Sequence, residues 1–147
     1  MARKRSTVLN VRPADDHHQV VTVSSDHTGC RKEPCADCPW RVDATGVFPP
    51  EAFRLSARTA HDMARETFAC HSSGSAKPAL CAGFVLRGAE HNLSMRIKHI
   101  EGGIPQGIHD GGHALHAGYV AMAVANGVDP DDPALADCRL SSFELEG

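Results

Sequence analysis

Aromatic side chains are scarce in this chain, with five Phe, one Trp and one Tyr among 147 residues. So few large rings argue against an extensive all-protein core and leave room for a cross-link, a metal above all, to supply the shortfall. Long apolar runs are missing too. No stretch could span a bilayer, and the N-terminal residues lack the apolar region of a secretory signal, so the expectation is a soluble, cytoplasmic protein without a membrane partner. Positive charge is in deficit: 15 Lys and Arg against 18 Asp and Glu give a net charge of −3. That balance speaks against a whole-surface nucleic-acid binder, because backbone recognition needs clustered cations. Finally, no Gly-rich phosphate loop, nucleophile elbow or paired-carboxylate pattern occurs, so no complete catalytic signature can be assembled.

Cysteine is what the chain does have, six in all. Cys35-Ala-Asp-Cys38 places two thiols two residues apart, which lets one tight turn aim both sulfurs at one ion. Cys70 and Cys81 are too far apart for such a turn, but a chain reversal would unite them and complete a four-ligand set. In a reducing compartment six cysteines point to metal or redox chemistry rather than to disulfides; three disulfides would be the rival reading for a secreted chain. Zinc fits four thiolates in a closed structural site. The bland alternative, cysteine as a small buried apolar residue, suits Cys35 and Cys38 poorly because they lie in a polar, Pro-flanked loop.

Two alternates belong to that set. His71 follows Cys70 directly and would serve if the loop turned differently, although adjacent ligands strain the backbone and favour a supporting role for the histidine. Cys30 stands five residues before Cys35, so Cys30, Cys35, Cys38 and Cys70 resemble the ligand run of plant-type ferredoxins in spacing. An iron–sulfur cluster is therefore the alternative cofactor. The loop between them, Arg31-Lys32-Glu33-Pro34, lacks the small residues such a cluster prefers, and no β-rich framework is visible.

Other constellations are weaker. Pro34-Cys35-x-x-Cys38 reads as half of a zinc nucleobase deaminase, but the matching His99-Ile100-Glu101 follows it instead of preceding it. A zinc-dependent hydrolase or deaminase is thus a minor reading. His109, Asp110, His113 and His116 could form a second metal site or a general base, yet a glycine pair loosens that stretch and ten histidines make a chance cluster common. The triplet Arg3-Lys4-Arg5 invites nucleic acid, but three charges at a terminus are usually a solvated end.

Organisation follows from periodicity. Residues 1–30 read as a flexible tail containing one short strand at Val20-Val21-Thr22-Val23, and residues 31–147 as a cysteine-centred domain. Pro49-Pro50-Glu51 predicts a helix whose apolar stripe, Phe53, Ala57, Ala60, Met63, Ala64 and Phe68, runs to the edge of Cys70. A second helix is expected from Lys77-Pro78, with Cys81 in its first turn where the helix dipole favours a thiolate. Asn92 or Ser94 should open a short helix that the following glycines end, His113 to Asn126 should form a small-residue helix stopped by Gly127, and Asp132 should cap a short piece reaching Cys138. The fold class expected is mainly α, with a small α+β arrangement as the alternative: one compact domain of short helices organised around a four-Cys metal site.

Taken together, Pro34-Cys35-x-x-Cys38-Pro39-Trp40-Arg41-x-Asp43, Gly46-x-Phe48-Pro49, Phe68-Ala69-Cys70-His71-x-Ser73 and Cys81-Ala82-Gly83-Phe84 resemble an uncharacterised group of small actinobacterial and bacteriophage proteins, a domain of unknown function, over about residues 34 to 139. The resemblance implies a phage or actinobacterial setting, hence a host cytoplasm if phage-encoded, and one shared cysteine-centred site. Cys30 and Cys138 fall outside its motifs. The expectation is a small structural-zinc protein acting as an interaction or regulatory module on a protein partner, with nucleic acid less favoured, the iron–sulfur version as alternative, and oligomeric state open.

Overall fold

The computed structural model describes residues 6–25, 29–74 and 76–146, so the Arg3-Lys4-Arg5 triplet lies outside the described residues. The chain opens with an antiparallel hairpin of β1 (Ser6–Pro13) and β2 (Gln19–Ser25), in which Val11 faces Val21 and the register slips between Val8 and Asn10. Its turn is built by Asp15. The carboxylate accepts from the backbone N–H groups of His17 and His18 at 2.8 and 2.7 Å, a local bond that competes with strand pairing and so reverses the chain. The valine run at 20–23 is a strand as expected, and its partner comes from the preceding residues, which carry too few apolar positions to announce themselves.

The hairpin touches the rest of the molecule beside α1 (Pro50–Ser56), where the His18 and Phe48 rings meet edge to face at 5.5 Å. Pro50 occupies the first helical position, where its missing N–H costs nothing. The helix continues only as a 3-10 turn, Ala57–Ala60, and stops well short of Phe68. Long-range pairing ends it: His61 bridges to Cys138, and the Met63 N–H donates to the His91 carbonyl at 2.9 Å while Met63 takes a left-handed φ of 60°.

Three further helices follow among the described residues: α2 (Leu93–Ile100), α3 (Tyr119–Ala125) and α4 (Ser142–Glu146). Asn92 caps α2 as expected, accepting from Met95 N–H at 3.0 Å while its amide donates to the carbonyls of Thr59 and Glu66. Gly102 then leaves the helix at φ 72°, a conformation in which a Cβ is costly. Helix α3 starts six residues later than its alanine pattern implies. The preceding segment is extended against the cysteine loop, with Val42 N–H bonded to Ala114 O at 3.0 Å and His116 N–H to Trp40 O at 2.9 Å. Asp132 caps the 3-10 turn Pro133–Leu135 by accepting from Ala134 N–H at 2.9 Å.

The architecture is therefore mixed α+β, a hairpin joined to short helices, which corrects the mainly α expectation. The second half of that expectation also fails. Among the described residues no group of three or more His, Cys, Asp or Glu side chains is arranged to hold a metal ion, so the fold is not organised around a four-Cys metal site. Its centre is Trp40, fully buried and ringed by Phe68, Phe84 and Tyr119 at centroid distances of 5.8, 6.3 and 6.0 Å. Phe53, Met95, Met122 and Val128 complete this core. The few aromatics are concentrated at one point, where each ring buries enough area to matter. No described helix is long and apolar enough to cross a membrane.

Candidate functional site

Cys35 and Cys38 occupy the tight turn their spacing predicts, closed by Cys38 N–H on Cys35 O at 3.1 Å. Cys70 and Cys81 are brought together by a chain reversal. Residues 68–70 and 79–81 run antiparallel, with Cys70 N–H on Ala79 O and Cys81 N–H on Phe68 O at 2.6 and 3.0 Å. Leu80 also pairs with the Cys30 segment on its other side, through Arg31 N–H on Leu80 O at 2.9 Å. This narrow ribbon carries two of the four thiols into reach of the Cys35–Cys38 turn.

The four thiols meet as two pairs. In the core, Cys38 and Cys81, 1% and 3% exposed, approach with their sulfurs 3.5 Å apart. Nearer the surface Cys35 hydrogen-bonds Cys70, and Ser72 bonds both, its hydroxyl 3.2 Å from the Cys70 sulfur. No disulfide forms among the described residues.

The surroundings of these thiols differ in a chemically useful way. A hydrogen bond from Cys81 holds the Cys38 thiol below its ordinary value, with help from the backbone N–H groups of Trp40 and Arg41 and the Arg41 charge. The same bond, with deep burial, pushes Cys81 well up, so the two thiols titrate as a pair. Burial raises Cys70, but hydrogen bonds from Ser72, Arg31 and Cys35 outweigh it and leave the thiol below its usual value. Burial raises Cys35. Each pair thus holds one acidified thiol beside a cation, the environment in which thiolates persist. Arg41 is itself fixed by Asp43, with Nη2 on Oδ2 at 2.6 Å, and donates through Nη1 to Cys35 O at 3.2 Å.

Sequence reasoning named the four cysteines and missed Arg31, Arg41 and Ser72, although each lies within four residues of one of them. It also expected Cys81 in the first turn of a helix. Cys81 instead lies just before that helix, its carbonyl accepting from Val85 N–H at 3.1 Å, and the turn that follows, Phe84–Gly88, is a π-helix. This wide turn wraps Trp40. A Cβ placed on Gly83 would stand 2.6 Å from Trp40 Cγ, and one on Gly88 2.8 Å from Cζ2. The indole edge between those atoms carries Nε1, which is buried without a hydrogen-bond partner among the described residues.

The remaining candidates do not join the thiols. Cys30 is half-buried and its sulfur contacts Arg31 O at 3.3 Å. Cys138 contacts Ala57 O at 3.4 Å, and burial with the nearby Glu144 and Asp137 charges pushes its thiol up to about 11. The backbone of His71 starts the turn His71–Ser73, while its side chain lies outside the described residues. His116 is buried and bonded through Nε2 to Thr45 Oγ1 at 3.2 Å, whereas His109 Nδ1 and Asp110 Oδ1 accept backbone N–H groups of Gly111 and Gly112 within their own loop. His99 and Glu101 are both exposed at the end of α2. These side chains form no joint site among the described residues.

No curated protein and no solved structure matches this chain. The Cys35–Cys38 turn, the Cys70–Cys81 ribbon and the Trp40 core between them all fall inside residues 30–139, which match the model of a family of unknown function, DUF6283, and the chain belongs to that family.

Proposed function

We propose that the protein is a small metal-binding module in which Cys35, Cys38, Cys70 and Cys81 take up one zinc ion as a local clamp, leaving the outer surface to engage a protein partner. The observation that carries this reading is the Cys38–Cys81 approach at 3.5 Å beside a second, bonded pair, Cys35–Cys70. Two thiolates on one tetrahedral zinc, each at about 2.3 Å, stand about 3.8 Å apart, so the buried pair already spans one edge of such a site. Binding then requires the outer pair to move inward. Arg31 and Arg41 would offset the negative charge of four thiolates around a divalent ion. Trp40 and its aromatic neighbours supply a core of their own, so the clamp adds local rigidity and does not organise the fold. A reducing cytoplasm, actinobacterial or that of a phage host, is the setting in which these thiols stay available.

Metal analysis of protein purified without added metal is the test. About one equivalent of zinc, lost in Cys35→Ser, supports the proposal. Less than about half an equivalent overturns it, and a brown preparation with iron and visible absorbance replaces zinc by an iron–sulfur cluster.

A further inference from the structure

Away from the thiols, a cavity of about 220 Å³ opens where the hairpin, α1 and the 133–137 segment meet. Arg12 reaches it from β1, Arg54 and Arg58 from α1 and the turn after it, and His61 from the bridge that ends that turn. Asp137, exposed, is the acidic residue of its lining. The guanidinium groups of Arg54 and Arg58 are oriented by neighbours without being used up. Arg54 donates Nε to Asp132 at 2.8 Å and Nη1 to Glu51 at 3.0 Å, and Arg58 donates Nη1 to Glu66 at 3.3 Å. A guanidinium carries five N–H donors, so both retain several. His61 supplies an independent sign of a missing partner: its Nε2 is buried and makes no hydrogen bond among the described residues. Leaving such an atom unmatched is costly, and a ligand oxygen bonded to it would recover that loss.

We infer that this cavity binds the phosphoryl group of a small phosphate monoester. Planar guanidinium forks match the tetrahedral oxyanion in paired N–H···O bonds, which Arg12 and the N–H groups that Arg54 and Arg58 do not spend on their carboxylates would supply. The volume leaves space beyond the phosphoryl group for a compact organic portion, against which Leu55 and Pro133 offer apolar surface. This inference is independent of the metal proposal.

The test uses the full chain and titrates phenyl phosphate and inorganic phosphate by calorimetry at low ionic strength, with acetate as control and a phosphoserine peptide as a second monoester. Saturable binding of phenyl phosphate, weakened at least tenfold in both Arg12→Gln and Arg58→Gln while zinc content and thermal midpoint hold, supports the site. Tight binding of the peptide instead identifies a phosphorylated side chain as the source of the same group. No saturation at millimolar phenyl phosphate, equal binding of acetate, or binding unchanged in both variants overturns it. His61→Gln tests the orphaned nitrogen, and a variant that binds as tightly as the parent sinks that part of the argument.

Discussion

Gly88→Ala should destabilise the protein, although the same change in an ordinary helix would help it. Alanine exceeds glycine in helix propensity by about 1 kcal/mol, and Gly88 has no positive φ to make a side chain costly. Space decides the sign. The new methyl would stand 2.8 Å from Trp40 Cζ2 and 3.1 Å from Phe84 Cδ1, and neither ring can retreat because Trp40 is fully buried among Phe68, Phe84 and Tyr119. Overpacking of this kind costs about 1–3 kcal/mol, and contact with two rings that cannot retreat puts it at about 2–3, so a net loss of about 1–2 kcal/mol remains, or a few degrees in midpoint for a chain of this length. Trp40 is the sole tryptophan, so its fluorescence in a urea titration reports on the affected site itself. The cost should shrink in a Trp40→Phe background, where the smaller ring makes room. A neutral or stabilising Gly88→Ala, or an undiminished cost in that background, would refute the packing argument.

Four other outcomes follow from the same packing and bonding. Cys35→Ser and Cys81→Ser should each lose stoichiometric zinc while far-UV dichroism stays near that of the parent, and Cys138→Ser should keep its zinc; equal loss in all three would mean the wrong thiols were chosen. Tyr119→Phe should cost about 1–2 kcal/mol in urea denaturation, because the buried hydroxyl donates to Phe53 O and bonds Ser56 at 2.7 Å. Burial lowers the His116 pKa, so the unfolded chain takes up that proton first; stability should be full above about pH 6.5, fall as pH drops through the folded value, and fall less steeply in His116→Gln. Cys138, raised to about 11, should react with iodoacetamide at pH 8 far more slowly than an unfolded-chain cysteine, and mass spectrometry that finds it modified first would contradict its burial.

Local signals in the sequence were reliable where the structure satisfies them locally. Asn92 and Asp132 are caps because a short polar side chain can reach an N–H two or three residues on, whatever the rest of the chain does. Periodicity misled where distant backbone competed for the same residues. The stripe from Phe53 to Phe68 is helical in pattern, but Ala60 O accepts from Arg139 N–H across the His61–Cys138 bridge and Met63 donates to His91 O from a left-handed φ, neither of which a continuing helix allows. The alanines at 114 and 117 are held likewise, the carbonyl of one accepting from Val42 N–H and that of the other from the Ser141 hydroxyl. Nothing within twenty residues of either segment encodes those partners, which is why propensity yields to tertiary pairing there.

The thiol site shows the same division at closer range. Spacing alone makes the Cys35–Cys38 turn, since two intervening residues suffice to close Cys38 N–H on Cys35 O. Which thiol then meets which is decided by the ribbon of residues 68–70 and 79–81, and it pairs Cys38 with Cys81 and Cys35 with Cys70 across the turn. The two members of the Cys-x-x-Cys motif are thereby placed in different environments, one in the aromatic core and one beside Ser72 near the surface. A tetrahedral ion would have to erase that difference by drawing the outer pair inward. Arg41 limits how far the turn can move, because its guanidinium is tied at once to Asp43 and to the Cys35 carbonyl. Movement is therefore expected from the Cys70 side, where the turn His71–Ser73 is held to its surroundings by Ser73, through Oγ on Cys70 O and Ala79 N–H on Oγ. Ser73→Ala should loosen that turn and shift zinc affinity while Asp43→Asn, which weakens the Arg41 anchor, shifts it through Cys35. Affinity measured by competition with a chromogenic chelator separates the two, and indifference to both substitutions would place the ion somewhere other than between these pairs.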